Sequence, residues 1–99
     1  MSYRVRIVRS AERAITKLPT AVQGSILERL DELAADPHPE DARKVRALPP
    51  RFKVYRVTVA KDYRIVYQVK SSALEVLVVR VGDRKDVYKR IGDIRRLLQ

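Results

Sequence analysis

Apolar residues in the first half of the chain follow one strand-like and two helix-like patterns. In "YRVRIVR" (3–9), apolar and basic residues alternate with the period of a half-buried strand. Apolar residues then recur at helical spacing over 10–18, and again from Thr20 until the prolines of "DPHPE" (36–40). Because a tight turn joins the two segments, we predict a helical hairpin on one side of a sheet.

The second half begins with a proline-containing loop and continues with three strand-like runs, "FKVYRVTV" (52–59), "YRIVYQV" (63–69) and "LEVLVVRV" (74–81). The short connections between them favour antiparallel hairpins. The third run is almost wholly apolar, which is typical of a central strand covered on both faces. After "GDRK", apolar residues return to helical spacing over 87–98 and predict a final helix.

These patterns predict a single α+β domain over residues 1–99. The element order is β-α-α-β-β-β-α, with a mainly antiparallel four-stranded sheet and the helical hairpin packed on one face. A chain of 99 residues with 45% hydrophobic residues can close one core of this kind.

The net charge of +10 is concentrated in the second half of the chain. Residues 1–50 hold 9 Lys and Arg against 7 Asp and Glu, whereas residues 51–99 hold 13 against 5. Such an excess attracts polyanions, and the attraction weakens as salt rises. We therefore expect the partner to be a nucleic acid or an acidic protein.

Several classes of site are disfavoured by composition. The chain has no cysteine, His38 is its single histidine, and its carboxylates are scattered. We therefore predict no metal site and no cofactor. Arginines interrupt the apolar residues of "MSYRVRIVRS", and no apolar run approaches the roughly 20 residues that span a bilayer. We expect a cytoplasmic protein without a membrane partner.

Alternation along the strands predicts that two arginines share one face of the sheet. Tyr63 and Tyr67 suit the helix-covered core, so Arg64 points to the opposite face, together with Arg56 of the preceding strand. If the connecting turn is tight and symmetric, Arg56 lies almost directly across from Arg64. Opposed like charges are unfavourable, so an anion over the pair would account for them.

The motifs "DYRIVYQV" (62–69) and "VGDRKDVYKRI" (81–91) resemble the RelE family, the toxins of RelE/ParE toxin–antitoxin pairs that cleave messenger RNA. The resemblance implies a RelE-like fold related to microbial ribonucleases, and metal-independent cleavage in the ribosomal A site by attack of a 2′-hydroxyl. By position, it assigns catalysis to Arg64, Arg84 and Tyr88. The resemblance also assigns contacts with RNA or the ribosome to Lys53, Arg56, Lys61, Lys85, Lys89 and Arg90.

The chemistry requires these residue types. The attacking hydroxyl needs a base, and cations must stabilise the charge that grows on the phosphate oxygens. Arginine binds two phosphate oxygens at once. Tyr88 is the remaining candidate for the base, since nearby cations favour a phenolate. It could instead stack on a nucleobase or pack on the sheet.

The resemblance also implies a RelB-like antitoxin that masks the basic surface. Whether the last helix is mobile, or is displaced when the antitoxin binds, stays open at this point. Two other functions stay open. A ParE-like relative would inhibit DNA gyrase without cleaving RNA, and a non-catalytic basic module would only bind RNA. The segment "RKDVYKR" (84–90) favours the nuclease, because a gyrase inhibitor does not need Tyr88.

Overall fold

A mixed five-stranded sheet with two α-helices on one face forms the framework of the computed structural model, which describes residues 2–98. The strands are β1 (Arg4–Ile7), β2 (Arg43–Lys44), β3 (Val54–Val59), β4 (Tyr63–Lys70) and β5 (Glu75–Asp83), and the helices are α1 (Arg9–Thr16) and α2 (Thr20–Ala35). The α+β class and the helical hairpin are confirmed. No helix within residues 2–98 is long and apolar enough to cross a membrane.

The predicted four-stranded sheet was one strand short. The order is β1-β5-β4-β3-β2, with β1 parallel to β5 and every other neighbouring pair antiparallel. The additional strand is β2, whose two residues lie in the segment predicted as a loop. A two-residue strand is too short to show an alternating pattern, so periodicity could not reveal it.

The predicted C-terminal α-helix is also wrong in type. Residues 84–90 form turns, Arg90 adopts a left-handed conformation with φ of 50°, and a 3-10 helix follows over Ile91–Leu97. The predicted apolar face is nevertheless the buried one, because Val87, Ile94 and Leu98 are all covered. Residues three apart share a face in a 3-10 helix and nearly do so in an α-helix, so this part of the apolar spacing does not distinguish the two.

Both faces of the sheet are covered by apolar residues. On one face, α1 and α2 pack on side chains that include Val57, Ile65 and Val76. On the other face, the C-terminal segment (residues 84–98) and the loop after β2 pack on Val66 and Leu77. The prediction that the third apolar run is a central strand covered on both sides is confirmed, since it forms β5 between β1 and β4.

A buried carboxylate ties the edge strand β1 to the centre of the sheet. The Glu75 side chain is only 7% exposed and lies 3.2 Å from Arg4 Nη2, 3.3 Å from Arg6 Nε and 3.8 Å from Lys70 Nζ. Burial alone would raise its pKa, but the hydrogen bond from Arg4 and the charges of Arg6 and Lys70 outweigh burial and hold the pKa of Glu75 below its usual value.

We expect Glu75→Gln to lower the free energy of unfolding at pH 7 by about 1–3 kcal/mol, because it removes the charged acceptor of three cations. A carboxylate with a depressed pKa stabilises the fold above its unfolded pKa, and this contribution disappears as pH falls through the folded pKa. Urea unfolding should therefore show a gap between the two proteins at pH 7 that closes below about pH 4.

The exposed Glu28 provides the control, since Glu28→Gln removes the same charge from the surface of α2. Its effect should stay within about 0.5 kcal/mol at either pH. An equal loss in both variants would show that net charge, and not the cluster around Glu75, sets the difference.

Candidate functional site

A groove with a volume of about 910 Å³ lies on the sheet face opposite the helices. Its floor is apolar and includes Val45, Leu48 and Val54, which belong to the core on this face. Four cations and one phenol complete its lining, namely Arg43, Lys44, Arg46, Arg56 and Tyr88. We call this feature the basic groove, and it can accept an anion whose attached group is apolar or aromatic.

Tyr88 enters the basic groove from the C-terminal segment. Its side chain is half-buried and packs beside the apolar core on this face. Its hydroxyl is covered and makes no hydrogen bond to any group within residues 2–98. A covered hydroxyl without a partner is unfavourable by about 1–3 kcal/mol. Tyr88 therefore presents an unused polar group beside the groove.

Arg56 and Arg43 are directly opposed across the β2–β3 pair. Side chains of directly paired residues lie on the same face, so two arginines share the groove side of the sheet at this pair. Arg43 Nη1 donates hydrogen bonds to the carbonyl oxygens of Glu40 and Ala42, at 3.0 and 2.9 Å. These carbonyls offset part of the repulsion, and an anion bound in the groove would offset more.

The predicted pairing of Arg56 with Arg64 is wrong in register. Arg64 lies opposite Thr58 and Gly82, whereas Arg56 lies opposite Val66. The prediction that Arg56 and Arg64 share the face away from the helices is confirmed, because the pairing partners of both belong to that face. The turn is centred on Lys61, and residues equally distant from Lys61 pair, so Arg56 lies five residues from the centre opposite Val66, and Arg64 lies three residues from it opposite Thr58.

Arg64 and Arg84 both lie at the β3–β4 turn, where Arg64 bonds to main-chain carbonyls and Arg84 contacts Asp62. Arg64 Nη1 donates to the carbonyl oxygens of Lys61 and Tyr63, at 3.2 and 3.1 Å. The Arg84 amide donates to the Asp62 carbonyl at 2.8 Å, and Arg84 Nε lies 3.8 Å from the Asp62 carboxylate. The Arg84 side chain is 57% exposed, so this long ion pair leaves it accessible to another anion.

Lys53 and Lys61 both adopt left-handed backbone conformations, with φ of 55° and 69°. Lys53 follows a short 3-10 helix (Pro50–Phe52) and precedes β3, so the predicted strand begins two residues later than expected. Lys53 lines a cleft with Phe52 and Gln68, away from the basic groove. Lys61 is exposed at the β3–β4 turn, close in sequence to Arg64.

The remaining predicted cations, Lys85, Lys89 and Arg90, are exposed on the C-terminal segment. Lys89 Nζ lies 2.8 Å from Asp86, which raises the pKa of the lysine, and Arg90 Nε lies 3.0 Å from Asp93. Within the described part of the chain, no three His, Cys, Asp or Glu side chains are placed to hold a metal ion.

Tyr67 contrasts with Tyr88. It is fully buried on the helix-covered face, its hydroxyl donates to the Pro37 carbonyl at 2.8 Å, and burial raises its pKa far above the usual value. Tyr63 is half-buried against the same core. The prediction that Tyr63 and Tyr67 pack in the core is confirmed.

Three groove residues, Arg43, Lys44 and Arg46, were not predicted as site residues. They lie in the first half of the chain, where the net charge is small, and in a segment predicted as a loop. The available signal was local, since "RKVR" (43–46) places three cations within four residues. The net charge of residues 1–50 did not reveal this cluster, because acidic residues in the same half nearly balance its charge.

Comparison with known proteins agrees on one superfamily. The family model described as "ParE toxin of type II toxin-antitoxin system, parDE" matches residues 5–88. Toxin RelG of Mycobacterium tuberculosis is 30% identical over 91 residues, covering 91% of this chain and 100% of RelG. The mRNA interferase toxin RelE of Escherichia coli is 33% identical over 92 residues, covering 88% of this chain and 92% of RelE.

A solved structure supports the same relationship. The toxin chain of the intact Escherichia coli RelBE toxin–antitoxin complex superposes with a TM-score of 0.71 at 28% identity. The match covers 83% of this chain and 96% of that chain. The arrangement of helices and sheet described above is therefore a RelE-like fold.

We expect Tyr88→Phe to raise the free energy of unfolding by about 1–2 kcal/mol, because it removes a covered hydroxyl that has no partner. Tyr67→Phe makes the same chemical change where the hydroxyl is hydrogen-bonded, and it should lower the free energy of unfolding by about 1 kcal/mol. Urea unfolding followed by circular dichroism measures both. A loss of stability in Tyr88→Phe as large as that in Tyr67→Phe would show that the Tyr88 hydroxyl is paired in solution.

Proposed function

The chain belongs to the ParE toxin family of type II toxin–antitoxin systems, within the RelE/ParE superfamily, and we propose that it is an endoribonuclease that cleaves messenger RNA in the ribosomal A site. One observation carries this proposal. A phenol without a hydrogen-bond partner lies beside a groove lined by Arg43, Arg46 and Arg56. The relative RelE of Escherichia coli is named an mRNA interferase, and this name supports RNA as the anion that the groove binds.

In the proposed reaction, Tyr88 acts in its phenolate form and accepts the proton of the 2′-hydroxyl next to the scissile phosphate. The 2′-oxygen attacks phosphorus, the bond to the 5′-oxygen breaks, and the departing oxygen takes up a proton from water. Arg56 lies in the same groove and stabilises the charge that grows on the phosphate oxygens. The hydroxyl is covered in the absence of RNA, so the reaction requires the phenol to turn into the groove, where the RNA supplies the partner that it lacks.

Arg64 and Arg84 contribute from the β3–β4 turn in this proposal. Their hydrogen bonds to main-chain carbonyls and to Asp62 lie at the protein surface, so a phosphate can replace them without exposing a buried charge. We assign Arg64 and Arg84 to phosphate binding along the same RNA strand. Lys61, at the same turn, adds positive charge to this path.

The partners we propose are the ribosome, with messenger RNA in its A site, and a RelB-type antitoxin. The similar RelBE structure is a toxin–antitoxin complex. The groove combines cations at its rim with an apolar floor of Val45, Leu48 and Val54, which suits an acidic peptide with apolar anchors. Such anchors keep a complex intact at moderate salt, where charge alone is screened.

A second candidate is a toxin that inhibits DNA gyrase. The description of the family model that matches the chain names a ParE toxin of the parDE system, and this description supports the candidate. The two candidates predict different first events after expression. The nuclease produces cut messages and arrests translation, whereas the gyrase inhibitor produces DNA damage while messages stay intact.

We expect Tyr88→Phe to lower the rate of message cleavage by about 10²- to 10⁴-fold, because it removes the proton acceptor. Arg64→Ala and Arg84→Ala should each lower it by about 10- to 10³-fold, because they remove charge stabilisation. Mapping of the 5′ ends of cellular messages after brief induction, and cleavage by purified protein on programmed ribosomes, measure these effects.

Tyr63→Phe and Arg9→Ala serve as matched controls, because Tyr63 packs on the helix-covered core and Arg9 is exposed on α1. Both should cleave at the parental rate. Full activity of Tyr88→Phe would remove Tyr88 from the chemistry. DNA breaks with intact messages in cells expressing the parent chain would favour the gyrase inhibitor.

A further inference from the structure

Arg80 is the residue that connects the sheet to the main chain around Tyr88. A β-bulge in β5 sets its direction, because Val66 pairs with Arg80 while the next residue, Tyr67, pairs with Val78. The bulge leaves Val79 unpaired and turns Arg80 to the face away from the helices. Regular alternation after Val79 would have turned Arg80 toward the helices.

The Arg80 guanidinium bonds to the residues on either side of Tyr88. Its Nη1 donates to the Val87 carbonyl oxygen at 3.1 Å and also to the Lys89 carbonyl oxygen. Hydrogen bonds from a charged donor are about twice as strong as those between neutral groups. One accepting carbonyl precedes Tyr88 and the other follows it. The two hydrogen bonds therefore fix the peptide planes that orient the Tyr88 side chain.

Few other interactions fix this part of the C-terminal segment. Residues 84–90 form turns, and apart from the Arg84 amide, which donates to the Asp62 carbonyl, their main-chain hydrogen bonds are local, such as Lys89 N to Asp86 O and Ile91 N to Tyr88 O. Val87 packs on the sheet beside Gly82. Turns with local bonds open at low free energy, so a long-range tie from β5 determines where the phenol lies.

The Arg80 guanidinium donates its hydrogen bonds to these carbonyls and not to a carboxylate. Asp86 and Asp93 line the same cleft as Arg80, but Asp86 pairs with Lys89 and Asp93 with Arg90. Within residues 2–98, Arg80 itself forms no ion pair. Its half-buried guanidinium is therefore a structural group, distinct from the exposed cations that remain available to RNA.

We infer that Arg80 is a positioning residue that fixes the main chain on either side of Tyr88, so that the phenol lies at the edge of the basic groove, from which it turns to reach the RNA. The inference rests on the proposed function. Arg80 touches neither RNA nor the reacting atoms in this scheme. It acts through the Val87 and Lys89 carbonyls, so its loss should reduce turnover while leaving RNA binding largely intact.

Arg80→Met keeps the length of the side chain and removes the donors, whereas Arg80→Lys keeps a charged donor. Since a displacement of about 1 Å can cost about 10²-fold, we expect Arg80→Met to lower kcat by about 10- to 100-fold. KM should change by less than about twofold, because ground-state binding is retained. Arg80→Lys should recover most of the lost kcat, and Arg9→Met, the charge-matched control, should behave as the parent.

A readout independent of activity follows the phenol itself. The chain has five tyrosines, so 3-fluorotyrosine labelling gives a small ¹⁹F spectrum in which Tyr88→Phe identifies one resonance. Arg80→Met should shift or broaden the Tyr88 resonance, leave that of the buried Tyr67 in place, and speed amide exchange at Lys89 and Ile91. Arg80→Lys should restore the parental spectrum and exchange rates.

An unchanged Tyr88 resonance and unchanged exchange in folded Arg80→Met would overturn the inference, whatever the cleavage rate. A displaced Tyr88 with parental kcat would overturn it as well. A parent chain that cleaves no message on ribosomes would refute the proposed function instead, and the fluorine spectrum would still decide whether Arg80 holds Tyr88.

Discussion

Strand β5 has to be covered on both faces, and the rest of the structure follows from this requirement. Its residues 76–79 are all buried, so neither face can be left to solvent. The helical hairpin covers one face, and the C-terminal segment covers the other through Val87, Ile94 and Leu98. Because this segment also carries Tyr88, the burial of β5 brings the phenol to the groove. The packing that covers β5 therefore also assembles the site.

The site is built from features that weaken the fold. Arg43 and Arg56 oppose each other across two strands, and the Tyr88 hydroxyl is covered without a partner. Each is unfavourable by a few tenths to about 3 kcal/mol. At the opposite end of β5, Glu75 gathers three cations in a well-paired cluster. The two unfavourable features of the groove thus lie where an anion can relieve them.

The sequence predicts those elements whose pattern repeats over many residues. The apolar run of β5 and the stripe of α2 identified the core, and alternation in β4 separated Tyr67 from Arg64. The predictions failed where one residue changes the geometry. The turn centred on Lys61 places Arg56 opposite Val66 and not Arg64, the left-handed Lys53 shortened β3, and the two residues of β2 were too few to form a pattern. Site geometry depends on such single residues.

The fold alone does not choose between an RNA-cleaving and a gyrase-inhibiting toxin, because the RelE/ParE superfamily includes both. The details of the site are more informative. A surface that only binds another protein gains nothing from a covered hydroxyl without a partner, and a Phe in place of Tyr88 would pack there at lower cost. A proton-transfer reaction does require that hydroxyl. The two Arg80 hydrogen bonds flanking Tyr88 point the same way, since docking alone does not require a fixed side-chain position. The unfavourable burial of the Tyr88 hydroxyl and the hydrogen bonds that fix the main chain beside it therefore both favour catalysis.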